Sequence, residues 1–228
     1  MWGGAPLAAF DLETTGPDPL EARIVTACIA TIDGAEVVSR NWLVDPEIPI
    51  PDGAAEVHGI TTDKARSEGM VYTKGYDEIR SSLETAWAAG RIVCAYNASF
   101  DFTVMDREGE RLGYPPLPFG AIFDPFVVDR AVDKYRRGKR TLSVTCEHYG
   151  IAVGNAHTAD ADALAAARLA WKLGHHNPGL AQMTVDELMS QQAAWHRERQ
   201  LDYAAYLDQQ GKDSSDVCAD WPLRKVAS

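Results

Sequence analysis

The order of elements along the chain predicts an α/β fold. Its expected core is a mixed β-sheet of about five strands, the first three antiparallel, flanked by α-helices and followed by a C-terminal helical tail. Three observations lead there. Three strand-like runs arrive before any convincing helix; strands and helices then alternate; and from Asn177 onward the sequence becomes strongly helix-forming. Strands in direct succession pair antiparallel, whereas strands joined through helices pair parallel, so the two halves together give a mixed sheet.

The first strand lies in "APLAAFDLETTG". The next two are the halves of "RIVTACIATIDGAEVVSRNWLV", separated by Asp33-Gly34, a two-residue turn of the kind that closes hairpins. "PEIPIPDGAAEVHGIT" is rich in Pro and Gly and reads as a surface loop, with a helix near Tyr76 to Ala89 after it. "RIVCAYN" is a short apolar strand, and "ASFDFTVMDREGERLG" is a helix that stops at Gly113. A strand or strand-helix junction follows around Ala121 to Asp124, then helices in "TLSVTCEHYGI" and "TADADALAAARLAWKL". The expected division is a domain over residues 1–176 and an extension over 177–228, a helix ending in the loosely structured "DSSDVCADWPLRKVAS".

Composition narrows the function. The 228 residues, 46% apolar and 24% charged, are ordinary for a soluble globular protein with one substantial core. The formal net charge of −11 lacks the overall basic balance of most nucleic-acid binders, so such a role would rest on local basic patches and bound cations. The densest basic segment is "DKYRRGKR", with Lys134, Arg136, Arg137, Lys139 and Arg140. It reads either as a phosphate-tracking patch or as a solvated loop. The N-terminal "MWGGAPLAAF" has no basic n-region, and no apolar run reaches membrane-spanning length, so no membrane association is expected. The four cysteines form no CxxC pair, which argues against zinc and disulfides and fits a reducing cytoplasm.

"FDLETTG" carries the chemistry. Strand alternation puts Asp11 and Glu13 on one face and Phe10 and Leu12 on the other. A buried carboxylate costs several kcal/mol unless a positive group meets it, so the pair is either a solvated strand end or half of a cation site. Asp101 opens the helix in "YNASFDF", where it either faces the helix dipole or joins such a site. In "HTADADALAAARLAWKL", Asp162 heads an apolar stripe with Ala165, Ala166, Leu169 and Leu173; Asp160 heads a competing stripe with Leu164, Ala167 and Trp171. Helical geometry alone leaves both open. Together these acids form an oxygen-only ligand set suited to Mg²⁺ or Mn²⁺. Two such ions roughly 3.5 to 4 Å apart can stabilise the attacking and leaving oxygens of a displacement at phosphorus. His157, just before the last helix, is the candidate base, with an unperturbed pKa of roughly 6.5.

With these residues in place, the chain resembles the DEDDh (DnaQ-like) 3′-to-5′ exonucleases, the group that includes the proofreading subunit of bacterial replicative polymerases. The motifs stand in order as "FDLETTG", "VHGIT", "YNASFDF" and "HTADADA", over roughly residues 5 to 175, and the family spacing selects His157 and Asp162 over Asp160. The resemblance implies a ribonuclease H-like fold and removal of 5′-monophosphates from single-stranded or frayed 3′ ends with two divalent cations, Mg²⁺ or Mn²⁺. It implies Asp11, Glu13, Asp101 and Asp162 as metal ligands, with His157 as base. It also implies a terminal-nucleotide pocket bordered by Thr14, Thr15, His58, Ile60, Asn97 and Phe102. DNA is the expected substrate, RNA trimming the alternative, and a silent binding module the alternative of another class. The tail, with Trp195, Tyr203, Tyr206 and Leu207, could dock on the domain, on a second copy or on a partner; a DNA polymerase fits, as does a sliding clamp through "QLDYA". The oligomeric state is left open.

Overall fold

The computed structural model describes residues 2–153 and 158–224. Five strands form one sheet: β1 (Leu7–Thr14), β2 (Ile24–Asp33), β3 (Glu36–Leu43), β4 (Ile92–Cys94) and β5 (Ile122–Phe123), in the order β3-β2-β1-β4-β5. The first three pair antiparallel, and β4 and β5 join β1's other side in parallel. This is the mixed sheet expected from the sequence. The hairpin turn lies one residue further on than expected: Asp33 pairs with Glu36, and the two turn residues are Gly34, at φ 65°, and Ala35.

Helices cover both faces. On one face α3 (Tyr72–Ala88) and α4 (Ala98–Arg111) pack over Ala8, Phe10 and Leu12. On the other, α7 (Ala159–His176) lies over Ala9, Cys28 and Ala30. Alternation along β1 thus serves two cores at once, which is why both of its faces carry apolar residues. The remaining helices are α1 (Asp52–His58), α2 (Thr62–Glu68), α5 (Pro125–Val132), α6 (Leu142–His148), the single turn α8 (Pro178–Ala181) and α9 (Val185–Gln209).

Two expectations change. The segment read as a surface loop, residues 46–61, contains α1 and ends at Thr61, whose side chain caps the start of α2. Pro51 sits just before α1, where a missing N–H costs nothing, and Gly59 ends that helix in the left-handed conformation, so its Pro and Gly punctuate helices. The described part of the segment read as loose is anchored. Residues 212–224 form no helix or strand, yet Trp221 and Leu223 pack against the first core and the Arg224 amide donates to Thr103 Oγ1 at 2.8 Å. The extension is also bound to the sheet by α9, which starts with a Thr184–Glu187 capping box. From α9, fully buried Gln192 donates to the Ile122 carbonyl at 2.9 Å and accepts from the Asp124 amide at 2.7 Å, satisfying backbone groups at the edge strand β5.

Candidate active site

β1 presents Asp11 and Glu13 toward the α7 side of the sheet, opposite Cys28 and Thr26 of β2. α7 can approach because the contact is built from small residues: Ala9, Cys28 and Ala30 below, Ala163, Ala167 and Ala170 above. Its first turn then sets Asp162 over the strand. One carboxylate oxygen from each of Asp11, Glu13 and Asp162 lies within 4.8 Å of the others. Of the two candidate stripes on α7, Ala165, Ala166, Leu169 and Leu173 are all buried, while the competing stripe is mixed, with Ala167 buried, Leu164 half-buried, Trp171 54% exposed and Asp160 exposed.

Asp101 comes from the opposite side of the strand. β4 ends at Cys94, so the Leu12 amide lies past the paired stretch of β1 and β4; it donates instead to Asp101 Oδ1 at 3.0 Å. Asp101 is 3% exposed. Asp101 stands outside the group of three but close enough for its charge to act on Asp11. Asp11 is held well above its ordinary 3.8, first by burial and then by the charges of Asp101, Glu13 and Asp162. Glu13 is pushed from 4.5 to about 7 by burial and by Asp162. Asp101 is also held high, by burial and by Asp124 and Glu13, against the lowering effect of the Leu12 amide. Among the described residues, the charges acting most strongly on Asp11 and Glu13 are those of other carboxylates. Clustered, partly desolvated carboxylates with oxygen donors alone are a fit for hard divalent cations, which would relieve this repulsion.

Around these acids the backbone is specialised. The β1–β2 register shifts between Glu13 and Thr14, a bulge that turns the chain out of the sheet. Thr14 Oγ1 donates to the Gly16 carbonyl at 2.9 Å, and Thr15 Oγ1 accepts from the Arg23 amide at 3.0 Å. His58 Nδ1 accepts from the Ile60 amide at 3.2 Å, which puts the ring proton on Nε2. That nitrogen is buried without a hydrogen bond of good geometry, and its polar neighbour is the Thr14 carbonyl; burial lowers the His58 pKa. Ile60 is half-buried in a small cluster around Val25, Ile50 and Ala65. Asn97, in the left-handed conformation at φ 63°, precedes α4 with its side chain exposed.

Phe102 is a correction. It is 0% exposed, packed between Phe10, Trp87 and Phe119 at ring separations of 5.5–5.9 Å, and has no surface to offer a substrate. Its helical neighbour Phe100 is half-exposed and borders the opening beside Asn97. His157 lies outside the described residues.

Asp124 was not singled out from sequence. It is fully buried and accepts from the amides of Asn97, Ala98, Phe126 and Val127 and from Trp221 Nε1, fastening the starts of α4 and α5 and the end of the chain to one carboxylate. Burial raises its pKa to about 6. Asp followed by Pro125 at the first helical position was the available signal.

The basic segment is largely spent on structure. Arg136 and Arg140 both pair with buried Asp129, and Lys134 pairs with Glu198 at 3.0 Å. Among the described residues no helix is long and apolar enough to cross a membrane.

Comparison with known proteins follows this geometry. Residues 8–170 match the exonuclease family (RNase_T). The chain is 28% identical over 165 residues, 72% of its length, to the PolC-type DNA polymerase III of Oceanobacillus iheyensis, and 26% identical over 199 residues, 86% of its length, to that of Staphylococcus aureus. It spans only 11% and 13% of those relatives. Among solved structures it resembles Escherichia coli exonuclease I in complex with a dT13 oligonucleotide, with a TM-score of 0.67 and 23% identity, covering 78% of this chain and 42% of that one. Exonuclease X in complex with 5′-overhanging duplex DNA gives a TM-score of 0.58 and 20% identity, covering 80% of this chain and 96% of that one. The sheet and its helices thus share the fold of these exonucleases, and the chain belongs to the exonuclease (RNase_T) family.

Proposed function

We propose that the protein removes nucleotides one at a time from single-stranded or frayed DNA 3′ ends, releasing nucleoside 5′-monophosphates. The observation that carries this reading is the convergence of one carboxylate oxygen each from Asp11, Glu13 and Asp162 within 4.8 Å of one another. Asp11, Glu13, Asp101 and Asp162 would hold two divalent ions, Mg²⁺ or Mn²⁺. When bound, such ions stabilise the charge on the attacking and leaving oxygens of phosphodiester hydrolysis.

The chain's own groups supply the rest. Asp101 is fixed by the Leu12 amide, so its carboxylate needs no reorganisation when substrate arrives. His157 would take the proton of the attacking water, a role suited to histidine as a residue type. The terminal nucleotide would lie against the Thr14–Thr15 bulge. Thr15 still has its hydroxyl proton to donate, His58 presents Nε2–H, and Asn97 offers an exposed side-chain amide. Ile60 would close the apolar side. DNA is favoured over RNA because the relatives are DNA polymerases and the exonuclease I and exonuclease X structures hold DNA. A DNA polymerase is the protein partner to which the same relatives point.

The test is strand shortening with DNA and RNA labelled at either end, in Mg²⁺ or Mn²⁺. A 5′-labelled DNA strand should give a descending ladder while a 3′ label is released at once as a mononucleotide. Release from the 5′ end, or no shortening with either metal, would refute the reading. Shortening of RNA alone would move the substrate to RNA.

A further inference from the structure

The mature fold contains a second charged feature, away from the acids. α9 lies beside α5, and between them runs an open groove of about 510 Å³ that begins at Asn97 and passes Phe126, Arg130 and Trp195 to Arg199. Its cations divide into two kinds. Arg136 and Arg140 share Asp129, Arg136 pairs with Asp133 as well, and Lys134 pairs with Glu198. Arg130 and Arg199 are of the other kind: neither makes an ion pair or a hydrogen bond to the described residues, and each guanidinium instead lies over an aromatic ring, Arg130 at 4.4 Å from Phe126 and Arg199 at 5.1 Å from Tyr203. The Nε of Arg130 is buried without a partner. Burial, with repulsion from Arg199 and Arg140, lowers its pKa against the opposing pull of Tyr96 and Asp129. Two guanidinium groups without an ion pair to the described residues, in a cleft that also carries Glu198 and Asp202, suit an anion that brings more than one negative group.

The place of the groove says which anion. Asn97 and Ser99 line both the groove and the opening that reaches Pro17 and Pro19, just after the β1 bulge. Asn97 also stands four residues before Asp101 on α4, about 6 Å along the helix axis. An extended chain of phosphates ending at the acids would therefore run into the groove, where Trp195 offers a ring on which a base can stack.

We propose that Arg130 and Arg199 bind the phosphodiester backbone of the single strand upstream of its 3′ end, so that the C-terminal helix α9 forms half of the strand's track. This rests on the exonuclease reading for the direction of the strand. The contacts are to phosphate, so DNA and RNA share them.

The test is binding of labelled dT12, rU12 and dTMP to the full chain in chelator, where no hydrolysis intervenes, at several salt concentrations. The proteins are wild type, Arg130→Gln/Arg199→Gln, and Lys74→Gln/Lys172→Gln, a control with the same change of net charge on α3 and α7. Loss of two phosphate contacts should lower the slope of log affinity against log salt by about 1.4, so that between about 50 and 200 mM salt the wild type weakens about sevenfold more than the groove variant. The control should keep the wild-type slope. Arg199→Gln alone should lower the slope by about 0.7 and serves if the double variant does not fold. An unchanged slope in the groove variants, or wild type failing to bind either strand, would overturn the proposal. So would an equal dependence for dTMP, since the groove would then be a mononucleotide pocket. A lowered slope together with no strand shortening in Mg²⁺ or Mn²⁺ would leave the groove standing and remove the exonuclease reading.

Discussion

Removing one charge from the acid cluster should make the metal-free protein more stable, and Glu13 gives the size of the effect. Its carboxyl is shifted from 4.5 to about 7 by burial and by Asp162. The folded state therefore holds a proton that the unfolded state has released between those two values, so the stability contribution is fully present below about pH 4.5 and is lost as pH rises through about 7. At about 1.4 kcal/mol for each tenfold change in acidity the shift is worth at most about 3 kcal/mol. Glu13 is only half-buried, and solvent screening brings this to about 2 kcal/mol. Urea unfolding in chelator should accordingly show Glu13→Gln more stable than wild type by about 2 kcal/mol at pH 8 and little different at pH 4.5. Divalent cation should reverse the order at pH 8, because the wild type then gains more from binding. A Glu13→Gln protein less stable than wild type at pH 8 in chelator would mean that Glu13 has a positive partner, and the electrostatic account of the site would fail.

Other perturbations separate packing from chemistry. Asp162→Ala should abolish strand shortening while Asp160→Ala leaves it near wild type, since only Asp162 lies against Asp11 and Glu13; the opposite pattern in the ladder assay would reassign the helix. Asp124→Ala strands four backbone amides and an indole N–H and should cost about 3 to 5 kcal/mol in thermal or urea unfolding, a loss under 1 kcal/mol showing that water replaces the carboxylate readily. Phe102→Ala should cost about 3 to 5 kcal/mol in the same measurement. At a temperature where that variant stays folded, its KM for a DNA strand should hold; a selective rise in KM would return Phe102 to the substrate pocket.

Much of this site could be read before folding because its parts follow simple periodicities. Asp11 and Glu13 share a face through the two-residue repeat of a strand, and Asp162 heads the stripe that turned out to be buried. What sequence leaves open is decided by contacts between distant positions. Asp129 claims Arg136 and Arg140, turning the densest basic segment into a structural ion cluster, while Arg130 and Arg199, 69 positions apart, meet only because α9 folds back on α5. Phe102 and Phe100 are two residues apart and equally aromatic, and only the packing of α4 on β1 sends the first inward. The end of the chain reads as loose because its anchors, Trp221 and Leu223, follow no repeat; Pro and Gly around α1 and α2 conceal helices by marking their ends.

The central claim is that the four acids are gathered to hold divalent cations, and Mn²⁺ titration followed by electron paramagnetic resonance examines it without recourse to activity. Wild type should bind Mn²⁺, and both Asp11→Asn and Asp162→Asn should lose at least tenfold in affinity while keeping the wild-type fold by circular dichroism. Equal Mn²⁺ binding by wild type and both variants, or none by wild type, would contradict it.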